Sequence, residues 1–133
     1  LSAAALEAGG VRILRDPTRG GVATTLNEFV EGSALTIELE EDAIPVDPAV
    51  AAACDLLGLD PLYSACEGRM LAVVSPGLAG AVLDALHQTS GGEHAAMIGR
   101  VTESRPGHVV LRTALGGSRI LGKLTGAQLP RIC

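Results

Sequence analysis

The sequence predicts an α+β fold, a layered sandwich whose mixed, largely antiparallel sheet carries helices on one or both faces. Three observations point there. Strand-like and helix-like segments interleave through most of the chain and strands alone follow; "ALTIELE" alternates apolar and polar residues strictly; and Asp-Pro and Ser-Pro pairs mark two helix starts. At 133 residues and 47% hydrophobic content, a single domain with one core is expected over residues 1–124, followed by an arm at 125–133.

The elements follow in order. "SAAALEAGG" reads as the last turns of a helix, since Ala, Leu and Glu favour helix and Gly9 and Gly10 accept the left-handed C-terminal position. The chain is therefore expected to begin inside an element, as a fragment of something longer. "VRIL" predicts a short strand, and "GVATTLNEFVEGS" sets Val22, Leu26, Phe29 and Val30 at helical spacing before Gly32. In "ALTIELE", Leu35, Ile37 and Leu39 share one face and Thr36, Glu38 and Glu40 the other, the pattern of a half-buried strand. Asp47 with Pro48 starts the helix "PAVAAACDLLG", and Ser75 with Pro76 is expected to start "PGLAGAVLDALHQ" in the same way. Between them "RMLAVVS" predicts an apolar strand at the centre of the sheet. "AAMIGRVTE", "VVLRTAL" and "SRILGKL", divided by turns at "SRPGH" and at Gly116 and Gly117, suggest a meander. "TGAQLPRIC" has no periodicity, and Pro130 discourages regular pairing, so a mobile tail is expected.

Composition excludes several functions. A net charge of −5 argues against general affinity for nucleic-acid phosphates, and with Phe29 and Tyr63 the only aromatics, stacking on bases is excluded too. No apolar run reaches the roughly eighteen residues of a membrane span, and the first residues lack a basic region leading into an apolar one. Cys54, Cys66 and Cys133 cannot all pair within one chain and match no CxxC pattern, which suits a reducing cytoplasm. His87, His94 and His108 show no metal-ligand spacing.

Three stretches carry chemistry. In "RDPTRGG", residues 15–21, Gly20 and Gly21 let backbone amides approach an anion at a helix N-terminus; Asp16 offers an oxygen ligand to Mg²⁺, and Thr18 and Arg19 offer donors to phosphate. The plainer alternative is that Asp16 and Thr18 cap the helix. In "YSACEGR", residues 63–69, Glu67 at the mouth of a strand is a candidate general base if burial raises its pKa; alternatively it pairs with Arg69 or caps a turn. Cys54 and Cys66 read as small buried hydrophobes. Cys133, on the final residue, is either an inert exposed thiol or the nucleophile of a swinging arm.

Taken together, "LRDPTRGGVATTLNE", "IPV", "LLGLDPLYSACEGRMLAVV", "IGRV", "VVLRTALGGSRIL" and the ending "LPRIC" resemble the C-terminal half of the HypE family of hydrogenase maturation factors. The resemblance runs over essentially the whole chain. It implies a C-terminal domain of the aminoimidazole ribonucleotide synthetase-like superfamily, with an N-terminal domain that holds most of the ATP and Mg²⁺ site and much of a homodimer interface. It further implies that Cys133 accepts a carbamoyl group from a HypF-like carbamoyltransferase. ATP then phosphorylates the amide oxygen, and loss of phosphate leaves a thiocyanate, whose cyano group passes to iron on a HypC–HypD-like complex. Glu67 is expected as the base, Asp16 as a Mg²⁺ ligand, and Thr18, Arg19, Gly20 and Gly21 at the phosphates. Members of the family often carry Asn before the Glu-Gly pair, where this chain has Cys66. Two other functions stay open: a docking and dimerisation module, and phosphoryl transfer like that of selenophosphate synthetase.

Overall fold

The structure is a computed structural model that describes residues 1–124; Cys133 and the rest of the expected arm lie outside the described residues. Helix α1 (Ser2–Ala8) ends at Gly9, and strand β1 (Val11–Arg15) follows. Helix α2 (Gly21–Val30), strand β2 (Thr36–Glu40), helix α3 (Pro48–Leu57), strand β3 (Leu71–Val74) and helix α4 (Ala79–His87) alternate as the sequence predicts. Strands β4 (Gly99–Thr102), β5 (Val109–Arg112) and β6 (Ser118–Leu121) complete the described part.

These strands form two sheets. β1 and β3 make an antiparallel ribbon, with Val11 opposite Val74 and Arg15 opposite Leu71; α1 and α4 pack together beside it. The larger sheet runs in the order β4-β2-β5-β6, with β2 antiparallel to β4, parallel to β5, and β5 antiparallel to β6. β3 is therefore not the central strand; among the described residues it pairs only with β1.

The core lies between α2 and one face of the larger sheet. Ala23, Leu26 and Val30, at helical spacing, meet Ile37, Leu39, Val109, Leu111 and Leu121, with Val22 and Phe29 at the margin. Leu39, Leu111 and Leu121 are fully buried, each stabilising the fold by roughly 2–3 kcal/mol through burial alone.

The expected meander does not form. The loop after β4 docks on the start of β2: the Gly107 amide donates to the Leu35 carbonyl at 2.8 Å, and the Arg105 amide donates to Thr36 Oγ1 at 2.7 Å. This holds β2 between β4 and β5 and leaves only the β5–β6 hairpin. The same placement buries more of β2 than its alternation suggests. Thr36 and Glu38 are buried along with Ile37 and Leu39, whereas Leu35 precedes the strand and is exposed.

Glu38 is tolerated there because its carboxylate is fully partnered. Ser104 Oγ (2.8 Å) and Thr102 Oγ1 (3.2 Å) donate to Oε1, and Arg112 (3.0 Å) and Arg100 (3.2 Å) donate to Oε2. The Ser104 hydroxyl first, then the Arg112 guanidinium, pull its pKa down to about 2.

Asp47 caps α3 as expected, its carboxylate accepting from the Ala49 amide at 2.8 Å. Ser75 does not cap α4. A 3-10 turn at Pro76–Leu78 comes first, and Ser75 Oγ instead accepts from Arg12 Nε at 3.0 Å. No helix among the described residues is long and apolar enough to cross a membrane.

Candidate active site

The antiparallel pairing of β1 and β3 decides where the two candidate loops sit. Arg15 is the last residue of β1 and lies opposite Leu71, the first of β3, so the loop leaving β1 and the loop entering β3 share one end of the ribbon. These loops are "DPTRGG" and "SACEGR". They are joined directly: the Cys66 amide donates to the Pro17 carbonyl at 3.0 Å, and the Pro17 side chain is fully buried.

Gly20 and Gly21 are required by this junction. Gly20, the N-cap of α2, has φ 76°, and a Cβ there would lie 2.3 Å from Thr24 Oγ1. At Gly21, φ is 64°, and a Cβ would lie 2.5 Å from the Ser64 carbonyl oxygen and 2.6 Å from that of Leu62. The glycines thus let the first turn of α2 press against the chain just before "ACEG".

The side chains with expected roles stand on the rim of this junction. Asp16, Arg19 and Glu67 are exposed and Thr18 is half-buried. Neither Asp16 nor Thr18 caps α2, which starts without a side-chain cap; Thr18 contributes its carbonyl, accepting from the Gly21 amide at 3.1 Å. Among the described residues Glu67 makes no ion pair with Arg69. Among the described residues the side chains of Asp16, Arg19 and Glu67 make no hydrogen bond or ion pair.

Cys66 is half-buried and its Sγ donates to the Ser64 carbonyl at 3.2 Å; burial pushes its thiol pKa up, with the Arg69 charge acting weakly the other way. Cys54 is buried in α3, as a small hydrophobe would be. Among the described residues no cluster of His, Cys, Asp and Glu could hold a metal ion on its own.

A second set of residues, missed by the sequence reading, ties the chain after β6 to the same region. Asn27 Nδ2 donates to the Leu121 carbonyl at 2.7 Å and to the Ala23 carbonyl at 2.8 Å. Tyr63 Oη donates to the Gly122 carbonyl at 3.0 Å; burial first, then the Asp60 carboxylate, push the phenol pKa up, so it keeps its proton. The Leu124 amide donates to Thr24 Oγ1 at 3.3 Å, and Lys123 pairs with Glu31 at 2.6 Å. The signal was present in "VATTLNEFV": a polar amide in mid-helix competes with the helix unless its side chain has a partner elsewhere.

Fold and site together define a mixed α/β domain whose glycine loop, helix N-terminus and Glu67 loop meet at one end of a ribbon. The chain belongs to the family of AIR synthase related proteins, matching the model of their C-terminal domain over residues 1–112. It is 52% identical over 135 aligned residues to the carbamoyl dehydratase HypE of Bradyrhizobium diazoefficiens, covering 100% of this chain and 39% of that protein. It is also similar to the crystal structure of hydrogenase maturation protein HypE in complex with ATP, with TM-score 0.88, 48% identity, and coverage of 96% of this chain and 39% of that one. The crystal structure of a HypE–HypF complex matches with TM-score 0.85 and 35% identity, over 91% of this chain and 39% of the other. The chain thus spans well under half the length of these relatives.

Proposed function

We propose that this chain is the C-terminal part of an ATP-dependent carbamoyl dehydratase of the HypE kind, with Cys133 as the residue that carries the group being converted. The observation that carries the reading is the convergence of three segments: "DPTRGG" and "SACEGR" joined through Pro17 and Cys66, and the base of the arm held on Thr24, one turn inside α2. Nine residues follow Leu124, and a fully extended run of that length spans up to about 30 Å, ample for a thiol to enter a site at the loops and leave it again.

In this mechanism the Cys133 thiolate attacks an activated carbamoyl group on a HypF-like carbamoyltransferase, and the bond from the carbamoyl carbon to its activating group breaks, so that group leaves and a thiocarbamate forms. The thiocarbamate oxygen attacks the γ-phosphorus of ATP, and ADP leaves. One N–H proton is lost as the carbon–oxygen bond becomes a phosphate ester, and the second as phosphate departs and the carbon–nitrogen triple bond forms. Phosphorylation is needed because an amide oxygen is a poor leaving group and phosphate a good one.

Glu67 removes those protons. Its carboxylate is exposed in the described chain, so the desolvation a general base needs comes from the arm and nucleotide entering the site, or from the rest of the protein. Exposed Arg19 and half-buried Thr18 suit phosphate oxygens, and at Gly20 and Gly21 a ligand meets backbone without a Cβ. Asp16 would supply one hard oxygen ligand to Mg²⁺. When bound, Mg²⁺ neutralises charge on the transferring phosphate. Most of the ATP site belongs to the N-terminal domain, so the isolated chain is inactive. The cyano group then passes to iron on a HypC–HypD-like complex, the S–C bond cleaving to cyanide and the Cys133 thiolate with two electrons from a reductant on that partner; Cys54 and Cys66, both free thiols, suit the cytoplasm where this assembly works.

A second reading, docking or homodimerisation, is favoured by α3, which buries only Cys54 while Val50, Leu56 and Leu57 are exposed. The test uses full-length protein, ATP and a carbamoyl donor. Intact-peptide mass spectrometry should show Cys133 gaining a carbamoyl group and then losing one water in an ATP-dependent step, with Glu67→Gln stalled at the loaded stage. Modification that persists in Cys133→Ala sinks the proposal; an unmodified thiol with dimer or partner binding intact favours the second reading.

A further inference from the structure

Three hydrogen bonds hold the main chain after β6, and the two made by α2 have a direction, the Lys123 side chain alone reaching back to Glu31. The Leu121 carbonyl is held by Asn27 and the Leu124 amide by Thr24, so the chain moves one turn towards the N-terminus of α2 over these residues, roughly 4.5 Å along the helix. Tyr63 holds Gly122 from the other side, out of the 3-10 turn that leads into "SACEGR". The Thr24 hydroxyl also fills the space where a Gly20 Cβ would stand, so one group contacts both the glycine loop and the arm.

We infer that Thr24 and Tyr63 are positioning residues for the arm: together with Asn27 they lay its base along α2 and aim the residues beyond it at the junction of the two loops. The inference rests on the proposed role of Cys133 as carrier. The bonds act by limiting the directions in which the arm can leave, which raises the effective concentration of the terminal thiol at the loops. Each bond is replaceable without disturbing the packing around it. Thr24→Val keeps the shape over Gly20 and loses the acceptor, Tyr63→Phe loses only the donor to Gly122, and Thr24→Ser restores the hydroxyl.

Cys66 provides a reporter that does not depend on catalysis, because it sits in the second loop and is a free thiol. In the full-length protein, diamide oxidises the Cys66 and Cys133 thiols to a disulfide, two electrons and two protons passing to the diamide. The rate of that cross-link measures how often the arm visits the junction. The second measurement is single-turnover water loss from carbamoyl-loaded Cys133 with ATP. Thr24→Val and Tyr63→Phe should each slow both rates about fivefold, the loss of one ordinary hydrogen bond, with Thr24→Ser near wild type and the KM for ATP unchanged. Rates within twofold of wild type in both variants overturn the inference, as does a wild-type cross-link no faster than in urea. A wild type that cross-links readily but never loses water overturns the proposed chemistry instead and leaves the guiding role standing.

Discussion

The Cys66 amide donates to the Pro17 carbonyl at 3.0 Å, fastening two loops that are far apart in sequence into one rim. Everything proposed for the chemistry depends on that rim keeping its shape, and the glycines beside it are the most sensitive positions. Gly21→Ala should cost about 2–4 kcal/mol, because a positive φ and contact with the Ser64 carbonyl oxygen act together. Gly32→Ala shares the positive φ (68°) and meets nothing within 4 Å, so it should cost only about 1 kcal/mol. Urea midpoints of the two variants check the difference; equal losses would mean that Gly21 is not pressed against residues 62–64.

Glu38 predicts a specific acid sensitivity. Its pKa is about 2 in the folded chain against an ordinary 4.5, so it contributes stability that is fully present above about pH 4.5 and is lost as the pH falls towards 2. Glu38→Gln should therefore be least stable relative to wild type near neutral pH, with the gap closing in acid. A stability difference that stays constant from pH 7 to about 2 would show that the carboxylate charge is not what matters.

Arg19 and Asp16 should separate binding from folding. Both are exposed and take no part in the core, so Arg19→Ala and Asp16→Asn should leave the urea midpoint of the full-length protein unchanged. Arg19→Ala should raise the KM for ATP about tenfold, the worth of one charge-assisted hydrogen bond, and Asp16→Asn should raise the Mg²⁺ concentration needed for half-maximal rate. Unchanged nucleotide and metal requirements would remove these residues from the site.

Cys66 should alkylate slowly. Burial raises its thiol pKa, so at pH 7–8 less of it is thiolate than in a free cysteine, and the rise of iodoacetamide labelling with pH should be displaced upwards. Peptide mapping after timed labelling should find it ahead of buried Cys54 and behind the same cysteine in urea. A native rate equal to the unfolded one would contradict the partial burial.

Local patterns in the sequence carried the elements well and their partners poorly. The cap at Asp47, the glycine stops after α1 and α3 and the extended run of β2 are set by neighbours a few residues away and appear in the structure, whereas the half-buried alternation of β2 does not, because both its faces are covered. The meander failed because the choice between pairing β4 with β5 and inserting β2 between them depends on where residues 103–108 dock, which no local period encodes. For the same reason Glu38 looked like a solvent-facing residue, its two arginines being distant in sequence. The two loops were legible as motifs, but their junction was not, since it follows from the register of β1 against β3. Thr24, Asn27 and Tyr63 escaped notice because their partners are backbone atoms, which carry no residue identity to search for.

The insertion of β2 also bears on synthesis. Glu38 is 62 residues from Arg100 and 74 from Arg112, its two charged partners, so β2 emerges from the ribosome long before either neighbour exists. Until then a strand with one strongly apolar face has no edge to join, and closing the sheet requires the slow, long-range step that sets folding rates in such topologies. The nascent chain is thus committed to a waiting interval in which β2 is exposed to chaperones and to other chains alike.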